Sequence, residues 1–299
     1  MANEHRIGKL PGGSPAQSQH AFHGACALLG PAPDGEELFT YLYERPADVQ
    51  QTNMEHVGTE IAVIDLHSTD KSFTMEHNGF QLLKLRVPED IDWDDQEQVE
   101  ARYYPEVEAL LKQVTGATRV HIFDNTIRRG YVKKSDSSMR GMPVARVHVD
   151  YTVKSGPERL QALLPDEADQ LTKTPFAVIQ VWRPLRGPVE DSPLGMIDVS
   201  SVAKEDMLPY KLIFPDRVGY NYAVAANPNH RWYYAKGMKT DEAYVFVCYD
   251  SRAGRARFTP HTGFVDHSTP ADAHPRESIE IRSYCFWEDE PQQEVAMEL

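Results

Sequence analysis

The chain has 299 residues, with 31 Lys plus Arg against 45 Asp plus Glu, a formal charge of −14. That balance argues against a general nucleic-acid binder, which needs a basic footprint, but leaves room for a small acidic ligand in a local basic pocket. The composition is that of an ordinary globular chain, no apolar run could span a bilayer, and three scattered cysteines (Cys26, Cys248, Cys285) cannot build a disulfide framework or a zinc knuckle.

Residues 1–35 are rich in Gly, Pro, Ser, Ala and His and read as a loosely ordered N-terminal arm. They lack a signal-peptide layout, so a cytoplasmic, reducing setting is expected. Residues 36–299 show no composition shift and read as a single domain. Short strands are expected at 61–66 (IAVIDL) and 80–87 (FQLLKLRV). Residues 96–115 have helical spacing: Val99, Tyr103, Val107, Leu110, Leu111 and Val114 share a face, and Gly116 stops the run. Strand-like segments rich in Val, Ile, Tyr and Phe follow at 118–126, 145–152, 176–185, 194–201, 243–250 and 278–287, with a helical interruption at 157–171. So many strands with so little helix predict a mainly β fold, an antiparallel barrel or jelly roll with the leading helix packed outside.

The segment ARVHVDYT carries the most chemical information. His148 and Asp150 are two apart on a strand and leave the same face. They supply two ligands of a 2-His-1-carboxylate triad, which leaves positions open on non-haem Fe(II). The competing reading is a hydrogen-bonded His/Asp pair with no metal. A third ligand must come from a distant histidine. His261 in FTPHTGFVD fits, and His230 in NPNHRWYYAKGM competes. Fifteen residues past His261 stands Arg276, whose planar fork suits the free carboxylate of a dicarboxylate chelating the metal. Arg276, Ser278, Glu280 and Arg282 share a strand face of unusual polarity, either a cavity lining or a solvent-facing strip. Trp182 and Arg183 could line the same pocket, or Arg183 could pair with Asp191. His230, Trp232 and Tyr234 are candidates for a substrate wall.

The blocks FDNTIRR, VHVDYT, VWRPLRGPVEDSPLGMIDVSSV, NHRWYYAKGMKTDEAYVFVCYDS and FTPHTGFVD…PRESIEIRSYCFW run in order from about residue 120 to 287. Together they resemble the hydroxylase/desaturase family of Fe(II)/2-oxoglutarate-dependent dioxygenases, of the fungal secondary-metabolite type and similar to gibberellin desaturase and cephalosporin C-7 hydroxylase-like proteins. The resemblance implies a double-stranded β-helix (jelly-roll) core with flanking helices, one iron, 2-oxoglutarate and O2. Carried onto this chain, it makes His148, Asp150 and His261 the iron ligands and Arg276 the leading 2-oxoglutarate anchor, with Arg282 and Arg183 as further cosubstrate candidates. His267, His274 and Asn125 depart from the expected pattern without touching a proposed ligand. The implied reaction is hydroxylation, desaturation or oxidative ring closure of a small molecule. The alternative is a cupin-like protein that binds a small molecule or metal without catalysis. A hydrolase is disfavoured, since no Gly-x-Ser-x-Gly elbow is present. A homodimer is the default among oligomers.

Overall fold

The computed structural model describes residues 7–8, 21–30, 35–46, 48–130 and 146–291. Its strands in chain order begin with β1 (Ile7–Gly8), β2 (Ala21–Leu29), β3 (Leu38–Tyr41), β4 (His56–Asp65), β5 (Phe80–Lys84) and β6 (Arg119–Arg129). The middle of the chain gives β7 (His148–Val149), β8 (Phe176–Pro184), β9 (Leu194–Ile197), β10 (Met207–Ile213) and β11 (Val218–Val224). The last are β12 (Trp232–Tyr234), β13 (Glu242–Asp250), β14 (His261–Gly263), β15 (Val265–Asp266) and β16 (Glu277–Phe286). They form two sheets. The smaller runs β5-β13-β8-β16-β6, and the larger runs β15-β2-β4-β12-β9-β14-β7-β11-β10-β3 with β1 against β4.

Alternation along the smaller sheet explains the layering. On β8, Phe176, Val178 and Trp182 point into the main core, while Ala177, Ile179 and Val181 point away from it. The inward set meets Val149, Met196, Tyr222 and Tyr233 of the larger sheet, so the main core lies between the sheets. The outward set packs against Val99, Tyr103, Val107 and Leu111 of the helical segment, which covers the smaller sheet from outside as its spacing predicts. That segment holds two α-helical stretches, Gln96–Gln98 and Tyr104–Thr115, joined by a π-helical turn at Val99–Tyr103. Pro105 has no N–H to continue the α ladder there, and the Tyr104 N–H donates to Val99 instead. Gly116 ends the helix in the left-handed region, at φ 71°, with its N–H on the Lys112 carbonyl. The arrangement is the jelly-roll core of two facing sheets.

Two features depart from the sequence reading, and a third breaks the strand period. Within the segment expected as a loose arm, Ala21–Leu29 forms a nine-residue strand paired along its whole length with β4; residues 1–6 and 9–20 lie outside the described residues. β7 keeps only two residues of the expected 145–152 strand. On β13 a bulge after Val247 turns Tyr249 to the same core as Tyr244, Phe246 and Cys248, against simple alternation.

Gly79 ties this frame to the later site. It sits at φ 89°, and its carbonyl accepts from the Val247 N–H at 2.8 Å and the Thr259 hydroxyl at 2.7 Å. A Cβ there would lie 2.5 Å from Thr259 Oγ1 and 2.9 Å from the Phe258 carbonyl. Gly79→Ala is therefore expected to lower stability by about 1–3 kcal/mol, read as a fall in the urea midpoint at unchanged slope.

Candidate metal centre and cosubstrate pocket

The short strands β7 and β14 build the centre. They pair antiparallel with His148 directly opposite His261. The two imidazole rings lie 4.5 Å apart between centroids, inclined at 51°. Asp150 follows β7 and shares the His148 face, with Oδ1 3.4 Å from His148 Nε2. Candidate ligand atoms of His148, Asp150 and His261 all fall within 4.8 Å of one another.

Each ring is held from behind. His148 Nδ1 lies 2.8 Å from the Arg146 carbonyl, and His261 Nδ1 lies 2.9 Å from the Thr259 carbonyl. A carbonyl only accepts, so Nδ1 carries the proton in both rings and the neutral Nε2 lone pair is left for a metal. Burial, then the neighbouring His148, lowers the His261 pKa to about 4, so this ring is neutral at ordinary pH. Burial acts to raise the Asp150 pKa, but the Arg282 charge outweighs it and holds the carboxyl well below its ordinary value. Two neutral imidazoles and one carboxylate in an open cluster suit a divalent transition metal with vacant positions.

A buried ionic network fixes Asp150. Arg282 lies 3.4 Å from its Oδ2, 2.8 Å from Glu280 Oε1 and 2.8 Å from Asp124 Oδ2. Glu280 in turn takes a two-pronged contact from Arg128, at 2.7 and 3.2 Å. The Cys248 thiol sits 3.8 Å from Asp150 and 3.6 Å from Gln180, completing the surround. Arg282, named in the sequence as a cosubstrate candidate, is thus committed to carboxylates of the protein and orients Asp150. The sequence reading missed Arg128, Gln180 and Cys248; for Arg128 the strand period of β6 was the available signal.

Arg276 occupies a different position. It is buried, lines a small space with His148, His261, Trp182 and Glu280, and its Nη1 donates to the Ser192 carbonyl at 2.5 Å. Burial and the Arg128 charge lower its pKa to about 10, which leaves it cationic. Among the described residues its Nε and the Ser278 hydroxyl are buried without a hydrogen-bond partner. A buried guanidinium with an unpartnered Nε beside a histidine pair fits the distal carboxylate of a chelating dicarboxylate. The space is only about 20 Å³, so a dicarboxylate entering it must move lining side chains.

The remaining candidates are not at this centre. Trp182 faces inward, so its neighbour Arg183 faces the other side of the sheet. There Arg183 donates to the Thr240 carbonyl at 2.6 Å and lies over the rings of Trp93 and Tyr103, not against Asp191. The structure corrects its placement in the cosubstrate pocket. His230 is buried against Asp206, 2.9 Å from Nε2 to Oδ2, and takes no part in the cluster. Trp232 and Tyr234 point away from the main core into a cluster with Val147, Ile197 and Phe264, and the Tyr234 hydroxyl donates to Asp266. They form packing on the reverse of the larger sheet instead of a substrate wall.

With this geometry in place, comparisons with known proteins give consistent likenesses. A family model described as an oxidoreductase/YMDC permease-like domain matches residues 28–286. A hydroxylase/desaturase of Hormonema carpetanum is 32% identical over 82% of this chain and 90% of its own length. An Fe(II)/2-oxoglutarate-dependent dioxygenase of Aspergillus novofumigatus is 29% identical over 84% of this chain and 91% of its own. A solved iron and alpha-ketoglutarate-dependent endoperoxidase superposes with a TM-score of 0.82 at 27% identity, over 90% of this chain and 99% of that one.

The ionic network sets an acid limit. Burial would raise the Glu280 pKa, but Arg282 and Arg128 hold it below its ordinary 4.5. A depressed carboxyl stabilises the fold fully above its unfolded pKa and loses that contribution as pH falls through the folded value. Glu280→Gln should cost about 1–3 kcal/mol at pH 7. Its urea midpoint should also fall less than the wild type's on acidification below the ordinary carboxylate range.

Proposed function

This chain belongs to the hydroxylase/desaturase family of Fe(II)/2-oxoglutarate-dependent dioxygenases, and from that premise we propose that His148, Asp150 and His261 hold its iron while Arg276 anchors its cosubstrate. It is an enzyme that uses iron, 2-oxoglutarate and O2 to oxidise a small molecule. The family's named members, including the hydroxylase/desaturase of Hormonema carpetanum and the endoperoxidase, make the non-catalytic cupin-like alternative unfavoured. The observation that carries the residue assignment is the convergence of two rings and one carboxylate, each ring with its Nδ1 already spent on a carbonyl.

Ferrous iron with 2-oxoglutarate and O2 supplies the oxidising power to take hydrogen from an unactivated C–H bond, which no side chain can do. The chain's own work is positioning. His148 and His261 present fixed lone pairs, and Asp150 adds one negative charge held in place by Arg282. Arg276, cationic and incompletely satisfied, pairs with a carboxylate at the far end of the cosubstrate. Phe246 packs against the His261 ring, 4.7 Å between centroids, and Trp182 lines the Arg276 space. We further propose a role in secondary metabolism and a cytoplasmic setting. No helix among the described residues is long and apolar enough to cross a membrane, and the acidic balance supports a small-molecule partner over a nucleic acid.

His148→Ala, Asp150→Ala and His261→Ala should each lose stoichiometric iron, whereas His230→Ala should keep it, as read by metal analysis of the folded proteins. Retention of full iron by His261→Ala with loss by His230→Ala would reverse the assignment. Arg276→Gln should raise the KM for 2-oxoglutarate about tenfold or more through loss of a charge-assisted contact, with iron content unchanged.

A further inference from the structure

We propose that the substrate is an organic acid with an apolar body, its carboxylate anchored by Arg146 in the cavity beside His148 and Asp150. The inference rests on the reading of those two residues as part of the metal centre. The cavity measures about 220 Å³ and adjoins the Arg276 space, sharing Arg128, His148 and Arg282 with it, and it has both ligand candidates in its wall. Leu42, Met54, Leu212 and the Tyr210 ring supply an apolar lining, and Arg146 and His56 supply polar groups.

Arg146 is placed by the same short segment that builds the metal centre. It precedes His148 by two residues, and both side chains line the same cavity. Its backbone carbonyl is the acceptor that holds His148 Nδ1, so the guanidinium is in fixed register with the first ligand. Two other arginines line the cavity, but both are matched: Arg128 by Glu280, and Arg282 by Asp150, Glu280 and Asp124. Asp150 is the one carboxylate in the lining and is already engaged. Among the described residues Arg146 forms an ion pair with no carboxylate. A guanidinium without a carboxylate partner in a wall of mixed polarity is best satisfied by an anion, and a planar carboxylate matches its two parallel N–H groups. Burial and then the Arg146 charge lower the His56 pKa to about 4, so His56 stays neutral and offers a hydrogen bond without a second positive charge. The volume is below the roughly 300–1,000 Å³ of sites for drug-sized ligands, which suits a compact acid. Arg276 and Arg146 would then serve two different carboxylates, one in each of the two spaces that His148 lines.

The test uses 2-naphthoate and its methyl ester, titrated calorimetrically into the Fe(II) protein under argon with saturating 2-oxoglutarate, so that the Arg276 side is already filled. The acid should bind about tenfold or more tightly than the ester, by one charge-assisted pair. Arg146→Gln should remove that preference and leave ester binding and 2-oxoglutarate affinity as they were; Arg146→Lys, a smaller disturbance to folding, should restore part of it. Equal binding of acid and ester by the wild type, no binding of the acid, or equal loss of 2-oxoglutarate affinity in Arg146→Gln would overturn the proposal. The visible absorption band of the anaerobic Fe(II)/2-oxoglutarate protein is recorded beside it. Loss of that band condemns the reading of the metal centre, whereas a retained band with no acid preference condemns only the acid.

Discussion

The antiparallel pairing of His148 with His261 is the constraint on which the rest of the site depends. Strands of two and three residues would be a weak foundation alone. Here β7 and β14 lie in the middle of an eleven-stranded sheet, between β9 and β11, so their register is enforced from both sides. That register brings two rings within contact of each other. The carbonyls of Arg146 and Thr259 then decide which nitrogen of each ring is free. Thr259 is itself tied through its hydroxyl to the carbonyl of Gly79, so the chain of support reaches to the edge of the smaller sheet.

Around this pair the protein separates charge by function. The carboxylates of Asp150, Glu280 and Asp124 share Arg282 and Arg128 in a network that holds Asp150 ionised despite its burial. Such buried networks are costly to half-dismantle, because each member left alone keeps its desolvation penalty. Arg276 and Arg146 lie outside that network with no carboxylate partner among the described residues. The closed and open cations therefore differ: the closed set fixes the Asp150 carboxylate, and the open set is the one proposed to bind carboxylates of small molecules.

Much of this was legible from residue spacing. The helix at 96–115, its covering role and the glycine that ends it followed from the apolar period. The polar face running into β16 was visible in the alternation of Arg276, Ser278, Glu280 and Arg282 with Ile279 and Ile281, and the structure buries Arg276, Ser278 and Glu280. What spacing could not resolve was which side of a sheet a residue faces. Arg183 and Trp182 are adjacent, and one lies by the metal centre while the other lies under the helix. Trp232 and Tyr234 sit on a strand whose neighbours belong to the far cluster, and only the three-dimensional register reveals it. His230 and His261 stand at comparable distances from His148 along the chain; strand order, absent from any local pattern, separates them. The strand at 21–29 escaped notice because small residues such as Gly24, Ala25 and Ala27 hide its period; a Cβ at Gly24 would come 2.5 Å from the Val265 carbonyl of β15.

The most direct test of the metal centre is a crystal structure of the anaerobic protein with Fe(II) and 2-oxoglutarate, with anomalous scattering recorded at the iron edge. The account predicts one iron peak bounded by His148 Nε2, His261 Nε2 and an Asp150 oxygen, with the cosubstrate's free carboxylate on Arg276. An iron peak elsewhere, or one that takes His230 in place of His261, would contradict it.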